Sequence, residues 1–191
     1  YYETAPNNLT PRNLGSAVVG GVEIEMRKNL SFITQRLRDI SINFNVSLIE
    51  SRLTYAGSER NRRLNTLRVG QSLGSYRTLQ GQAPFLINAG VNYSNPDKGI
   101  QTGIFYNVQG RTLEVVGDGF FPDIYTIPFH SLNFNFNKTI GKDRRSTINF
   151  RANNILGDVK ESMIQSFGTD DLHFRLRNPG RIISIGYKLR F

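Results

Sequence analysis

The sequence contains no cysteine among its 191 residues and no long apolar run. Without cysteine there are no disulfide frameworks, thiolate zinc sites or thiol nucleophiles. A membrane-spanning helix needs about 20 predominantly apolar residues in succession, and no segment approaches that length. This does not exclude a membrane protein, because transmembrane strands alternate lipid-facing and lumen-facing side chains. The hydrophobic fraction of 38% and the mean hydropathy of −0.36 therefore leave both classes open.

Histidine is scarce as well, and this bears on catalysis. Nucleophilic catalysis needs a base beside the nucleophile, and the two histidines are His130 and His173. His130 precedes Ser131, but strand alternation directs neighbouring side chains to opposite faces. The turn at Gly141 lacks the glycine and Ser/Thr positions of a phosphate loop, and the loop acids lack calcium-loop spacing. We therefore expect no catalytic residue, no enzyme, no cofactor and no metal site.

Apolar residues recur at every second position, which is the period of a β-strand. In the segment 40–48 the even positions are Ile, Ile, Phe, Val and Leu, whereas the odd positions are Ser or Asn. The same alternation predicts strands at 85–93, 100–109, 132–137, 147–153 and 183–191, with a weaker one at 21–27. Helical periodicity is nearly absent. The sequence therefore predicts an antiparallel all-β fold with seven strands.

The polar face of these strands carries Asn, Gln, Ser and Gly where a soluble strand normally carries Lys, Glu and Thr. Such neutral hydrogen-bonding side chains are suited to a water-filled interior, with the apolar face toward lipid. The candidate lumen-lining residues are Asn43, Asn45, Asn88, Asn92, Asn107, Gln109, Asn133, Asn135, Asn149, Arg151 and Asn153.

Short and long connections alternate along the chain. Residues 94–99 and 140–145 are short turns, and the mid-length connection 28–39 belongs with them; residues 54–82, 110–128 and 157–180 are long. Outer-membrane barrels have short periplasmic turns and longer extracellular loops. The pattern therefore predicts an up-and-down transmembrane β-barrel segment whose last strand runs down to the periplasm.

The net charge of +9 suggests an anionic partner. Arginines crowd into residues 52–77 with Glu59 as almost the only acid, so we expect the basicity to come largely from one long loop. This loop is either merely solvated or in contact with an anionic ligand or lipopolysaccharide, for which the candidates are Arg60, Arg62, Arg63 and Arg68. Because the aromatic residues fall in phase with Ile, Leu and Val, we expect no nucleic-acid binding.

The closing segment resembles a known family. Arg177-Asn178-Pro179-Gly180-Arg181 and the following strand to Phe191 are similar to the C-terminal strand of TonB-dependent outer-membrane receptors. Three other stretches resemble the subtype that has an N-terminal carboxypeptidase-regulatory-like domain: residues 20–25, residues 122–125 with 128–132, and residues 153–158. The resemblance implies an insertion signal, read by the barrel-assembly machinery, formed by Ile183, Ile185, Tyr187, Leu189 and Phe191.

The resemblance also implies a location and a function. Such receptors are barrels of roughly 22 strands with a plugged lumen, in the outer membrane of Gram-negative bacteria. They import a ligand with energy supplied by the TonB system through the plug. The partners implied are outer-membrane lipid, lipopolysaccharide and a surface lipoprotein.

Residues 1–191 would then form the C-terminal part of such a barrel, without the plug and the N-terminal strands. Residues 1–3 would finish an eighth strand. The alternative is a small stand-alone structural or adhesive outer-membrane β-barrel.

Overall fold

The computed structural model describes residues 2–5, 8–10, 16–117, 119–141 and 143–190. The prediction of an antiparallel all-β fold is confirmed, since 57% of the chain is strand. The strands are β1 (Tyr2–Ala5), β2 (Asn8–Thr10), β3 (Ala17–Asn29), β4 (Ile40–Thr54), β5 (Tyr76–Arg77), β6 (Phe85–Asn95), β7 (Ile100–Gln109), β8 (Thr112–Val115), β9 (Asp123–Thr126), β10 (Ser131–Ile140), β11 (Ser146–Asn153), β12 (Lys160–Gln165), β13 (Leu172–Arg177) and β14 (Ile182–Leu189). The helix α1 covers Gly57–Asn65, and two 3₁₀ turns, Leu30–Phe32 and Gln35–Leu37, connect β3 to β4.

The seven predicted strands form one large sheet in the order β14-β11-β10-β7-β6-β4-β3, with β5 paired to β4. Each long strand pairs antiparallel with its neighbours along the chain, so the sheet is a simple meander. In the described structure its two outer strands, β3 and β14, do not pair with each other. The sheet is therefore open.

The register of the large sheet keeps the apolar residues of all strands on one face. Ile42 lies opposite Val91, and the row continues through Ile104, Phe134, Ala152 and Ile183. A shift of one residue in any strand would send its apolar side chains to the other face. The sequence alternation thus becomes one continuous apolar surface.

This apolar face is exposed. The side chains of Ile24, Ile104 and Ile185 are 59%, 50% and 77% accessible. The buried apolar residues lie elsewhere, at the end of the large sheet from which the long connections leave: Leu53, Ala83, Val108, Leu113, Val115, Val116 and Ile124. The small core therefore lies beside the large sheet rather than beneath it.

The long connections contain regular structure that the seven-strand prediction does not include. Residues 110–130 and 154–181 supply a second, four-stranded sheet in the order β13-β12-β9-β8. Residues 55–75 supply α1, whose acid in the first turn and arginines in the last turn suit the helix dipole. We call α1, β8, β9, β12 and β13 the cap. Its strands have only four or six residues each, too few for a period-two pattern to stand out.

The expectation that residues 1–3 finish an eighth barrel strand is wrong for the part described. β1 pairs with β2 in a separate two-stranded sheet and does not join the large one. The large sheet contains the seven long strands and the two-residue β5.

Candidate functional site

All the candidate lining residues project from the polar face of the large sheet. In one row Asn45 lies opposite Asn88, and Asn88 opposite Asn107. In another row of the same face, Asn92 lies opposite Gly103, Gly103 opposite Asn135, and Asn135 opposite Arg151. Because these strands pair without a shift, residues far apart in sequence form continuous polar rows across the sheet.

The amides of this face bond to one another. Asn92 Nδ2 donates to Asn43 Oδ1 at 2.9 Å, and Asn107 Nδ2 donates to Asn88 Oδ1 at 2.6 Å. Asn45 Nδ2 donates to Glu23 Oε1 at 2.6 Å. An amide has two donor hydrogens and two acceptor lone pairs, so one such bond leaves capacity for water or a solute. The amides of this surface can therefore still form hydrogen bonds with water or a solute.

One aromatic ring interrupts the polar face. Phe105 lies over two glycines, because a Cβ added at Gly90 or Gly103 would come within 2.8 Å of its ring. The Gly90 position would also clash with the Asn43 amide at 2.6 Å. Glycine is needed here so that the ring can lie flat between the amides. A groove of about 640 Å³ lies beside this ring, lined by Asn43, Asn45, Asn92 and Asn135 among others.

A second groove lies where the polar face meets the cap. It has a volume of about 340 Å³ and is lined by Asn88, Asn107, Gln109, Phe129 and Lys160 among others. The Lys160 ammonium lies 4.9 Å from the centre of the Phe129 ring. This groove has both apolar and polar walls, which the sequence alternation does not reveal because Phe129 lies outside a strand.

The remaining lining candidates lie on the same polar face, in β10 and β11 toward the β14 edge of the sheet. Asn133 Nδ2 donates to Ser131 Oγ at 2.9 Å, and a smaller groove is lined by Asn133, Asn135, Arg151 and Asn153. Asn149 lies opposite Gly186, where an added Cβ would come within 2.6 Å of its amide. The eleven candidates thus form one surface, divided among several shallow grooves.

The four arginine candidates in the first long connection differ in their surroundings. Arg63 is engaged in the cap: its guanidinium donates to Asp123 at 2.7 and 3.1 Å, to Gly117 O at 3.0 Å and to Glu59 at 3.3 Å. Burial alone would lower the pKa of Arg63, but the hydrogen bond and charge of Asp123 outweigh burial, and the pKa is raised. Arg63 therefore stabilises the cap and is not available as the primary contact for a ligand.

The other three arginines differ in exposure. Arg60 and Arg68 are exposed and Arg62 is half-buried. Arg68 Nη1 donates to the Phe167 carbonyl at 2.8 Å. Arg63 and Arg68 line one cavity of about 360 Å³ together with Phe120 and Phe167, whereas Arg60 and Arg62 do not line it. The four predicted arginines therefore do not form one site: two of them line this cavity and two do not.

A buried ion-pair cluster joins two segments that are distant in sequence. Glu59 is fully buried and accepts from Arg77 Nε at 2.9 Å as well as from Arg63. Tyr55 packs against Arg63, and burial raises the pKa of the Tyr55 hydroxyl while the Arg63 charge opposes the rise. The spacing of Glu59 and Arg63 at i and i+4 is a readable signal for a helix. The pairing of Arg63 with Asp123, 60 residues further on, has no sequence signal.

His130 and Ser131 have separate surroundings. The Tyr106 hydroxyl and His130 Nδ1 are 2.6 Å apart, whereas Ser131 Oγ accepts from Asn133 on the polar face. Among the described residues no group of three His, Asp or Glu side chains could hold a metal ion. Four residues of the expected insertion signal, Ile183, Ile185, Tyr187 and Leu189, are exposed on the apolar face; Phe191 lies outside the described residues.

Comparisons with protein-family models, curated proteins and solved structures find no match to this chain. In the part of the chain that the structure describes, α1 is too short and too polar to cross a membrane as a helix.

Proposed function

We propose that this chain forms part of the wall of a transmembrane β-barrel in a Gram-negative outer membrane, and that the barrel is a TonB-dependent receptor importing a ligand. The observation that carries the proposal is the uncovered apolar face of the large sheet. A contiguous apolar surface of seven strands is too large to be left in water. Acyl chains are the partner that suits it, because the opposite face is lined by amides.

The stagger of the hairpins supports a barrel. The last residue pair of the β3–β4 hairpin is Asn29 and Ser41, and we take the row across the sheet that contains this pair as the reference. The last pair of the β6–β7 hairpin, Asn95 and Ile100, lies three residues further along the strands than this row. The β10–β11 hairpin ends five residues beyond it, at Ile140 and Ser146. Five residues correspond to about 17 Å of strand, and four strand spacings to about 19 Å. The turns therefore lie at one level only if the strands tilt by about 40°, as in membrane barrels.

The length of the apolar stripe agrees with the proposal. In β4 the apolar phase runs over nine residues, from Ile40 to Leu48, and then gives way to Glu50 and Arg52. A tilted transmembrane strand needs about 9 to 11 residues. The Glu50–Arg52 ion pair at 2.6 Å thus lies where the strand would leave the bilayer.

Import is the function that the polar face and the resemblance favour together. The amide-lined grooves offer weak, neutral hydrogen bonds along the wall, which suit passage rather than retention. The resemblance of the closing segment and of three other stretches (residues 20–25, residues 122–125 with 128–132, and residues 153–158) to TonB-dependent receptors adds the energy source and the plug. The cap would face the cell exterior, where ligand is selected, and Arg60, Arg62 and Arg68 are its candidate contacts for an anionic ligand or lipopolysaccharide.

Because these 191 residues contain no cysteine, single cysteines introduced into them allow a direct test in cells that produce the protein from its own gene, once any cysteine elsewhere in the gene product is replaced. Single cysteines would replace Ile24 and Ile104 on the apolar face and Asn45 and Asn135 on the polar face. We expect a label on the first two to be quenched by spin-labelled lipid in outer-membrane preparations. The second two should react with a water-soluble thiol reagent and escape the quencher. Equal quenching on both faces, or none on either, would exclude the barrel wall.

The alternative is a small structural or adhesive barrel that closes from this chain alone. The resistance of the isolated chain to protease and its heat-dependent gel mobility in lipid distinguish the two: a closed, resistant barrel favours the alternative. Import is tested separately by reversing the charges of Arg60, Arg62 and Arg68. Unchanged uptake and unchanged surface binding would remove these arginines from the ligand site.

A further inference from the structure

Positive charge is concentrated at one end of the large sheet. We define the short-turn rim as residues 27–39, 96–99, 138–145 and 188–190, which include the three short connections. Its described residues carry ten Lys or Arg and three acids. The opposite end, residues 50–84, 110–130 and 154–181, carries eleven Lys or Arg and eight acids in its described part. The short-turn rim is therefore the more strongly basic end of the sheet, and the arginines of residues 52–77 make up much of the positive charge at the other end.

The rim also presents apolar side chains beside these charges. Phe32 and Ile33, in the connection from β3 to β4, are 65% and 62% exposed. The Lys28 ammonium lies 5.5 Å from the centre of the Phe32 ring. A basic side chain beside an exposed ring is the arrangement expected where a protein meets the headgroup layer of a bilayer.

Two of the rim lysines project from the apolar face itself. Lys28 is in phase with Ile24 and Met26 of β3, and Lys138 is in phase with Phe134 and Phe136 of β10. Each stands near the end of its strand on the short-turn side. Long basic side chains at such positions lay their methylene groups on apolar surface and extend the charge toward water. These lysines therefore mark where the apolar face ends at this rim.

We propose that the short-turn rim binds the anionic headgroups of phospholipids in the leaflet that it borders, an inference that rests on the proposed function. The positive side chains are spread over three separate connections, at Arg36, Lys98 and Arg145, and all three are exposed. A row of separated point charges fits a layer of anionic headgroups, because each cation near such a surface adds to the attraction. The rim thereby fixes the depth of the wall in the bilayer.

The test measures which lipids contact the protein. The gene product would be reconstituted in phosphatidylcholine vesicles that contain a trace of spin-labelled phosphatidylcholine or spin-labelled phosphatidylglycerol. Spin resonance then gives the fraction of each label immobilised at the protein surface. We expect several-fold stronger association of phosphatidylglycerol at low salt. The preference should vanish at about 1 M salt, where the Debye length is about 3 Å.

Three variants assign the preference to the rim. The triple variant Arg36→Gln, Lys98→Gln and Arg145→Gln should lose most of the preference for phosphatidylglycerol. The charge-retaining variant Arg36→Lys, Lys98→Arg and Arg145→Lys should keep it, since point charges suffice. A charge-matched control at the other end, Arg111→Gln, Arg175→Gln and Arg177→Gln, should keep it too.

The outcomes separate this inference from the proposed function. If neither labelled lipid is immobilised, the apolar face does not meet lipid and the proposed function fails. If both lipids are immobilised equally at low salt, the wall is in the bilayer and the rim inference alone is wrong. Loss of the preference in the other-end control, with the rim variant unaffected, would also overturn the inference.

Discussion

The charged residues of the cap act in pairs that differ in burial. Glu59 is fully buried between Arg63 and Arg77, and it joins α1 to β5. Arg63 continues the connection to Asp123 at the start of β9. By contrast, Glu50 and Arg52 form a pair of which both side chains are more than half exposed. Burial rather than distance determines how much each pair contributes to stability.

Replacing Glu59 therefore tests the stability of the cap. The substitution Glu59→Gln removes the buried carboxylate that Arg77 and Arg63 share, although Arg63 keeps its ion pair with Asp123. We expect a loss of about 3 kcal/mol in the free energy of unfolding of the cap. The matched substitution Glu50→Gln removes an exposed pair and should cost about 1 kcal/mol or less. Amide hydrogen exchange in β8 and β9 measures both. Equal effects of the two substitutions would contradict the role given to burial.

Among the strands, the pairing of β3 with β4 depends on the close approach of Gly21 to the backbone of β4. A Cβ added at Gly21 would meet the Leu48 carbonyl oxygen at 2.6 Å and Ile49 Cα at 3.2 Å, whereas one added at the adjacent Gly20 would meet nothing within 4 Å. Because the obstructing atoms at Gly21 are backbone, they cannot move without opening the strand pair.

Alanine at these two glycines should therefore give different results. We expect Gly21→Ala to destabilise the sheet by about 1 to 3 kcal/mol through overpacking. Gly20→Ala should stay within about 0.5 kcal/mol of the unaltered protein. Denaturant unfolding of the protein in detergent provides the measurement. An unchanged free energy of unfolding in Gly21→Ala would show that β3 and β4 can move apart at this point without loss of stability.

The two faces of β4 give a second comparison. Val46 lies in the apolar row between Ile24 and Ile87, and Ser47, the next residue, lies opposite Glu23 on the polar face. In the proposed bilayer Val46→Lys should cost about 2 to 4 kcal/mol. Ser47→Lys should be tolerated, because Glu23 is opposite. Unfolding from lipid vesicles distinguishes the two variants, and similar losses at both positions would contradict the assignment of faces.

How much of these elements the sequence predicts depends on their length. The alternation in β4, β6 and β7 runs for nine residues or more, which is long enough for a period of two to be recognised. β8 and β9 have only four residues each, and β9 also pairs with β12 further along the chain, so no local pattern marks them. The polar face followed from the same alternation. The Asp123 partner of Arg63 did not, because ion pairs between distant segments leave no periodic trace.

For the whole molecule, the distribution of burial determines the solvent it needs. The core at the cap contains Leu113 and Val116, which are nearly inaccessible, whereas Val22, Ile183 and Tyr187 on the large sheet are 63 to 68% accessible. A soluble antiparallel sheet buries one face against its own core. In the described structure no element covers the apolar face of the large sheet.

Removing detergent should therefore make the purified chain associate. We expect a defined particle by size-exclusion chromatography with light scattering in detergent micelles, and aggregation once detergent falls below its micelle concentration, because the apolar face then meets water. Adding detergent back before the aggregated chains unfold should reverse the early stages of aggregation. A monodisperse monomer in plain buffer would mean that the face is covered.

The chain-order pairing of the large sheet has a consequence for how such a wall changes in evolution. Because each long strand pairs only with the long strands next to it in the chain, the gain or loss of one hairpin changes the width of the sheet without changing any other strand pair. The tie between Arg63 and Asp123 spans the connections that follow β4 and β7, so a hairpin inserted between them would pull the two side chains apart. We therefore expect hairpin duplications to be tolerated at the outer strands of the sheet but not between β4 and β7, where they would break the ion pair of Arg63 with Asp123.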